Sequence, residues 1–410
     1  VYATVLSTEK FVARSSAPSG ASTGVGEALE LRDADVRYGG KGTLKAVGNV
    51  NTIISPAVKG QKLDNLAALD QLIIDADGTQ LKKNIGGNAT TAASFALAEA
   101  GALLANKPLF LFFAEQYFGK ENIPKKFKLP SPFFNIINGG KHAGGNLKPQ
   151  EFMISPARKY PFPDQLRIAS EVYHKLGDLL VKSYGVSAKN LGDEGGYAPA
   201  LDNPDEALTI IEQAIKDSGY EPAVDVFIAL DPASQEFYND GKYEVETGLS
   251  LSSEEMIKYW VDLVEKHPAI CSIEDGLEEQ DYENWPKPVE ALGDKIHLVG
   301  DDLYTTNPTT IAKGIAGNWA NALLLKVNQI GTITEAFQAA KLILDANQWV
   351  MVSHRSGETT NSVIADIAVG IGAQAIKTGS TARGERIAKY TRLVQIYEYL
   401  KENDLLAEEE

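Results

Sequence analysis

LLLKVNQIGT, residues 323 to 332, sets three leucines directly against Lys326. An apolar run that ends in a cation is the pattern of a buried strand delivering one charged group to a site, because an unpaired ammonium in apolar surroundings costs several kcal/mol. Pushed toward neutrality by burial and by neighbouring positive charge, such a lysine can act as a general base near neutral pH. Taken alone, it is more often a lysine at a strand end whose head simply reaches solvent.

Outward from this segment the pattern repeats. The runs VFIALD (226–231), ICSIED (270–275), HLVGDD (297–302), ALLLK (322–326), WVMVSHRS (349–356) and AIKTGS (375–380) are short, apolar and polar at their ends. From Glu274 onward the terminal polar residues stand at 274, 301, 326, 354 and 377, giving intervals of 27, 25, 28 and 23, one strand plus one helix per step. Intervening segments open on capping boxes, Ser252 with Glu255 and Thr332 with Glu335. Their apolar positions follow helical spacing: Met256, Trp260 and Leu263, then Ile333, Phe337, Ala340 and Leu344. The series predicts an α/β protein built on a (β/α) barrel, in preference to a doubly wound open sheet.

Ahead of the barrel, residues 1–125 read as a smaller α+β unit. VYATVLST and FVARSSAP suggest two strands joined by a short turn, and LDNLAALDQLII and TTAASFALAEAGALLA suggest helices. Lysine-rich KENIPKKFKLPSP marks a linker near residues 120 to 131, and the barrel takes residues 126–410.

Composition narrows the function classes. The 410 residues carry 39 basic and 55 acidic side chains, a net charge of -16, which argues against nucleic acid as the main partner. No run of eighteen apolar residues exists to span a bilayer. The single cysteine, Cys271, excludes an intramolecular disulfide and reads as a small buried hydrophobe in a reducing, cytoplasmic setting. The start VYATVLSTEK has no signal-peptide pattern and no initiator Met, which suggests a processed or incomplete N-terminus.

Strands of such a barrel open their carboxyl ends on one face, so Asp231, Glu274, Asp301, Lys326, His354, Arg355 and Lys377 are expected to converge there. Two carboxylates about 5 Å apart repel by roughly 3 kcal/mol at an effective dielectric of about 20, so three clustered acids need protons or a cation. All-oxygen donors select a hard ion such as Mg²⁺ over zinc. A metal, a buried lysine and an Arg-Ser pair suit a substrate bearing a carboxylate and a phosphate, and the chemistry of proton abstraction beside that carboxylate. Upstream, QEFMISP and NLGDEGGYAP present Glu151 and Glu194, a pair able to protonate a leaving group. Glycine-rich PSGASTGVGEA and NGGKHAGG, with Ser22 and His142, read as loops able to close over a ligand.

These segments together resemble the enolase family. The likeness rests on PSGASTG (18–24), NGGKHAGG (138–145), QEFMI (150–154), GDEGG (192–196), SIED (272–275), GDDL (300–303), LLLKVNQIGT, SHRSGET (353–359) and IKTG (376–379), in the family's order and over nearly the whole chain. The resemblance implies a β3α4-type N-terminal domain and a barrel in which an early strand runs antiparallel. It implies reversible dehydration of 2-phosphoglycerate to phosphoenolpyruvate in a homodimer or larger assembly. On matching positions it implies Lys326 as the C2 base, and Glu194 assisting departure of the C3 hydroxyl with support from Glu151. Asp231, Glu274 and Asp301 would hold a first Mg²⁺, and Ser22 a second that arrives with substrate. Arg355 and Ser356 match phosphate contacts, Lys377 a carboxylate contact, and His142 and His354 the family's active-site histidines. A Lys or His base with one or two Mg²⁺ ions is the general pattern of this superfamily.

The chain departs from the family pattern in three places. A first strand with a DSRGNPT segment is absent ahead of VYATVL, which is expected to leave a sheet edge open and to weaken a subunit contact. Lys141 stands where serine is common, and Ser380 and Thr381 where Ala-Pro is usual; none of these carries an assigned role.

Overall fold

The computed structural model of the chain describes residues 1–6, 11–21, 23–143 and 145–408. Strands β1 (Tyr2–Leu6) and β2 (Val12–Ser16) pair antiparallel, from Tyr2 opposite Ser16 to Leu6 opposite Val12, in a two-stranded sheet. They pack on the helix Gly87–Leu104, which is buried along almost its whole length. A helix made mostly of Ala, Gly, Ser, Thr and Leu, with Asn88 and Glu99 too few to form a polar face, must be covered on every side, and the helices Leu66–Asp77 and Leu109–Phe118 contribute to that cover. The last of these, LFLFFAEQYF, escapes the sequence reading, because a run apolar at nearly every position shows no period.

The predicted barrel is closed and eight-stranded. β3 (Ser131–Asn138), β4 (Glu151–Pro156) and β5 (Val226–Asp231) lead into it. A small antiparallel sheet of β6 (Tyr238–Asn239), β7 (Lys242–Glu246) and β8 (Leu249–Leu251) interrupts it. β9 (Ile270–Glu274), β10 (His297–Gly300), β11 (Ala322–Leu325), β12 (Trp349–Ser353) and β13 (Ala375–Lys377) complete it. The circular order is β10-β11-β12-β13-β3-β4-β5-β9. Only β4 among these strands runs against its neighbours, antiparallel to both β3 and β5, which is the early antiparallel strand the resemblance implied. One expected capping box forms in full, at Ser252 and Glu255; Thr332 caps its helix by accepting from the Glu335 amide, but the Glu335 carboxylate takes the Thr332 hydroxyl at 2.7 Å instead of its backbone amide.

Strand pleat explains how the site is aimed. Phe133, Met153, Ala229, Val299, Ala322, Leu324, Met351 and Ala375 fill the barrel interior, separate from the larger core between strands and helices. Full burial of a residue such as Leu324 contributes about 1.5–3 kcal/mol, so this layer holds the interior closed below the mouth. Side chains alternate across a strand with period two, and the next inward position toward the mouth lies two residues on. That step leads from Phe133 to Asn135, Ala229 to Asp231, Val299 to Asp301, Leu324 to Lys326, Met351 to Ser353 and Ala375 to Lys377. Ser272, paired with Ala229, leads to Glu274. On reversed β4 the same step leads from Met153 back to Glu151.

The segment after Lys326 also seats the N-terminal elements. Thr91 Oγ1 donates to Gly331 O at 3.3 Å, the Ile333 amide to Ser94 Oγ at 3.0 Å and the Thr334 amide to Asp70 Oδ2 at 2.9 Å, while Lys82 pairs with Glu335 at 2.8 Å. LLLKVNQIGT therefore ends where the two parts of the chain meet.

Candidate active site at the barrel mouth

Lys377 Nζ sits among three carboxylates, 3.2 Å from Glu151 Oε1, 3.1 Å from Asp231 Oδ2 and 2.9 Å from Glu274 Oε1. Burial opposes its charge, yet Asp231, Glu151 and Glu274 hold its pKa well above the usual lysine value. Lys326 Nζ stands 2.5 Å from Asp301 Oδ2, and Asp301 Oδ1 accepts from Gln329 Nε2 at 2.8 Å. Here the expectation of a depressed lysine pKa is corrected: burial, Arg355 and Lys377 lower it, but the Asp301 carboxylate outweighs them and the net direction is up. A cation that engages Asp301 would withdraw that support from the ammonium.

Glu151, which Lys377 contacts, also groups with Glu194 and His142, one side-chain atom of each lying within 4.8 Å of the others. Glu194 Oε2 accepts from Asn135 Nδ2 at 2.9 Å and lies 3.3 Å from His354 Nε2; His142 Nδ1 is 3.9 Å from Glu194 Oε1. Burial and then the charge of Glu194 push the Glu151 pKa well above the carboxylate range. Burial would raise Glu194 too, but the facing His354 and His142 rings and the Arg386 guanidinium bring it well below. The two shifts run in opposite directions, so Glu151 is the member of the pair that more readily carries a proton. His354 is neutral, its pKa pushed down to about 3, chiefly by burial.

Arg355 is buried, and its fork grips Glu27 through Nη1–Oε2 at 2.8 Å and Nη2–Oε1 at 3.1 Å, with Asn328 Oδ1 at 3.2 Å from Nη1. PSGASTG lies against SHRSGET: Ser19 and Gly357 exchange backbone hydrogen bonds at 2.9 and 2.8 Å, and the Ala21 amide donates to Ser356 Oγ at 2.7 Å. A Cβ at position 20 would fall 1.9 Å from Arg355 Nη2, so any larger residue there would displace the guanidinium from its present place. Ser22 lies outside the described residues.

A closed barrel with these side chains at its mouth coincides with two family matches. Residues 126–409 match the family described as the C-terminal TIM barrel domain of enolase, and residues 1–113 the one described as its N-terminal domain. The chain belongs to the enolase family. Enolase-type lyase chemistry on a small molecule follows at that level, and enolases typically depend on a metal.

The residues of this enolase-family mouth fit a hard cation. Glu274 is pushed well above the carboxylate range by burial and by Asp231, while Asp231, despite burial, is held low by Lys377 and by a hydrogen bond from Glu274. The two buried acids crowd each other, a repulsion that a divalent ion bound to oxygen donors would relieve. Glu151 Oε2 is also buried with no hydrogen-bond partner. The implied ligands Asp231 and Glu274 meet at Lys377, whereas Asp301 turns to Lys326 and groups within 4.8 Å with Asp275 and Asp302.

Several enolase-site residues escape the sequence reading. Asp275, second acid of SIED, accepts the Asp301 amide at 2.9 Å and the Asp302 amide at 2.8 Å, fixing the turn that presents Asp301. Gln329, inside the opening motif, and Glu27, after PSGASTG, engage Asp301 and Arg355. Their signal is position within matched segments, not chemistry of their own. Among the departures, Lys141 turns to Glu236 at 2.6 Å, while the Ser380 amide does touch an assigned residue, donating to Glu194 O at 2.9 Å.

Proposed function

We propose that the chain catalyses the reversible, Mg²⁺-dependent dehydration of 2-phosphoglycerate to phosphoenolpyruvate and water, as a homodimer. The observation that carries this reading is that Lys326 and the Glu151–Glu194 pair line one cavity together with Lys377 and Arg355. A base and a carboxyl pair in one cavity suit removal of a C2 proton and a C3 hydroxyl from the same molecule.

In this reading Lys326 Nζ takes the C2 proton once its grip on Asp301 is loosened. The Glu151–Glu194 pair supplies a proton to the departing hydroxyl through Glu194, with Asn135 holding that carboxylate in place and His354 beside it. Lys377 binds the substrate carboxylate and keeps its own proton, consistent with its raised pKa. Arg355 and Ser356 bind the phosphate, which meets a guanidinium already engaged by Glu27. Free space in the cavity is about 20 Å³, room for about one water, so substrate entry must shift the PSGASTG loop and Glu27. Asp231, Glu274 and Asp301 would hold Mg²⁺, which stabilises the negative charge that develops on the substrate carboxylate.

The test is ultraviolet absorbance of the enol product from 2-phosphoglycerate, with and without Mg²⁺. A metal-dependent rise is expected; its absence from folded protein sinks the reading. Sedimentation equilibrium tests the dimer.

A further inference from the structure

Arg386 has no direct role in the proposed reaction, yet it is 1% exposed and its side chain ends between the loops that carry the site. It lies at the start of the helix Gly384–Glu402. Nη1 donates to His354 Nδ1 at 2.7 Å and to Arg355 O at 2.7 Å; Nη2 donates to Asp193 O at 3.1 Å and to Ser356 O at 2.5 Å. A guanidinium in a protein keeps all its protons. Nδ1 must therefore accept, and the single proton of the neutral imidazole must sit on Nε2, the nitrogen 3.3 Å from Glu194 Oε2.

We infer that Arg386 is a positioning residue: it locks His354 as the Nε2–H tautomer facing Glu194 and fastens the Glu194 loop to the Arg355–Ser356 loop through one planar fork. Burying a cation among neutral acceptors is costly. Its closest acidic partner among the described residues, Glu385 Oε1, is 3.6 Å from Nε. A neutral amide could tie the carbonyls together at less cost, but it could also accept a proton from Nδ1 and so admit both tautomers. Only an obligate donor excludes the second. The backbone makes room for it: Gly379 has φ +90°, and a Cβ there would stand 2.6 Å from Arg386 Cδ and 2.7 Å from Glu194 O.

The kinetic arm of the test rests on the hydratase reading; the spectroscopic arm does not. In protein labelled with ¹⁵N-histidine, long-range ¹H–¹⁵N correlation reads the tautomer of each of the five histidines, and loss of one signal set in His354→Asn assigns His354. The wild type is expected to show His354 wholly as Nε2–H. Arg386→Gln should show both tautomers, with kcat for 2-phosphoglycerate down about 10- to 100-fold and KM within about threefold. Arg386→Lys, still an obligate donor, should keep the single tautomer and recover part of kcat. An Nδ1–H tautomer in the wild type, or an unchanged tautomer and kcat in folded Arg386→Gln, overturns the inference. Should Arg386→Gln not fold, the wild type and Arg386→Lys decide: Nε2–H in both supports it, and Nδ1–H in either overturns it. A wild type without hydratase activity removes the proposed reaction but leaves the tautomer result to decide on Arg386.

Discussion

Lys326 and Lys377 occupy equivalent steps on β11 and β13, yet their company differs. Lys377 is held by three carboxylates, Lys326 by Asp301. The first arrangement favours a permanent ammonium; the second can be undone by whatever competes for Asp301. Lys326→Ala is accordingly expected to reduce C2 proton exchange with solvent to background, whereas Glu194→Gln should block dehydration, by about 10²- to 10⁴-fold, while exchange persists. Deuterium wash-in followed by NMR separates the two, and equal loss of exchange in both variants would refute the division of roles. Lys326 was legible in the sequence as a charge at the end of an apolar run. Its protonation state was not, because Asp301 reaches it only through the pairing of β10 with β11.

Among the elements, β9 to β13 announced themselves by spacing, whereas β3 and β4 did not. Both are buried at every residue, so no alternation marks them, and the reversal of β4 breaks the strand-helix rhythm. Helix contacts were equally hidden. His267, which ends the helix Ser253–Lys266, meets Glu212 at 3.0 Å and Asp205 at 2.9 Å on the helix Pro204–Asp217. Burial lowers its pKa, but hydrogen bonds to Glu212 and Asp205 raise it further, for a net rise. A folded pKa above the unfolded value of about 6.5 means that the contribution to stability is full below that value and is lost as pH rises through the folded pKa. The Tm deficit of His267→Gln relative to wild type should therefore be largest in mildly acidic buffer and shrink above neutrality. Thermal melts across that range check it, and a deficit that grows with pH would count against the ion-paired histidine.

For the molecule as a whole, crowded acids at the mouth and a divalent ion are one balance. An ion that binds only the folded chain stabilises it by about 2.7 kcal/mol at one hundred times its Kd, so Mg²⁺ should raise Tm and a chelator reverse the gain. Glu274→Gln, which imitates the protonated state that burial and Asp231 already favour, should keep the metal-free Tm and lose the Mg²⁺ increment. Differential scanning calorimetry reads both, and an undiminished increment in the variant would remove Glu274 from the ion's ligands.

The sequence by itself determined the repeating strand-helix unit from β9 onward and most of the charged residues at those strands' ends, because the pleat has period two and helices have caps, both set by neighbours in the chain. Only the tertiary structure decided which charges meet. Lys377 and Glu151 stand 226 residues apart, and Arg386 and His354 32 apart. The energy of a buried charge depends on what lies within a few ångströms of it, and closure of the barrel, not order along the chain, sets that.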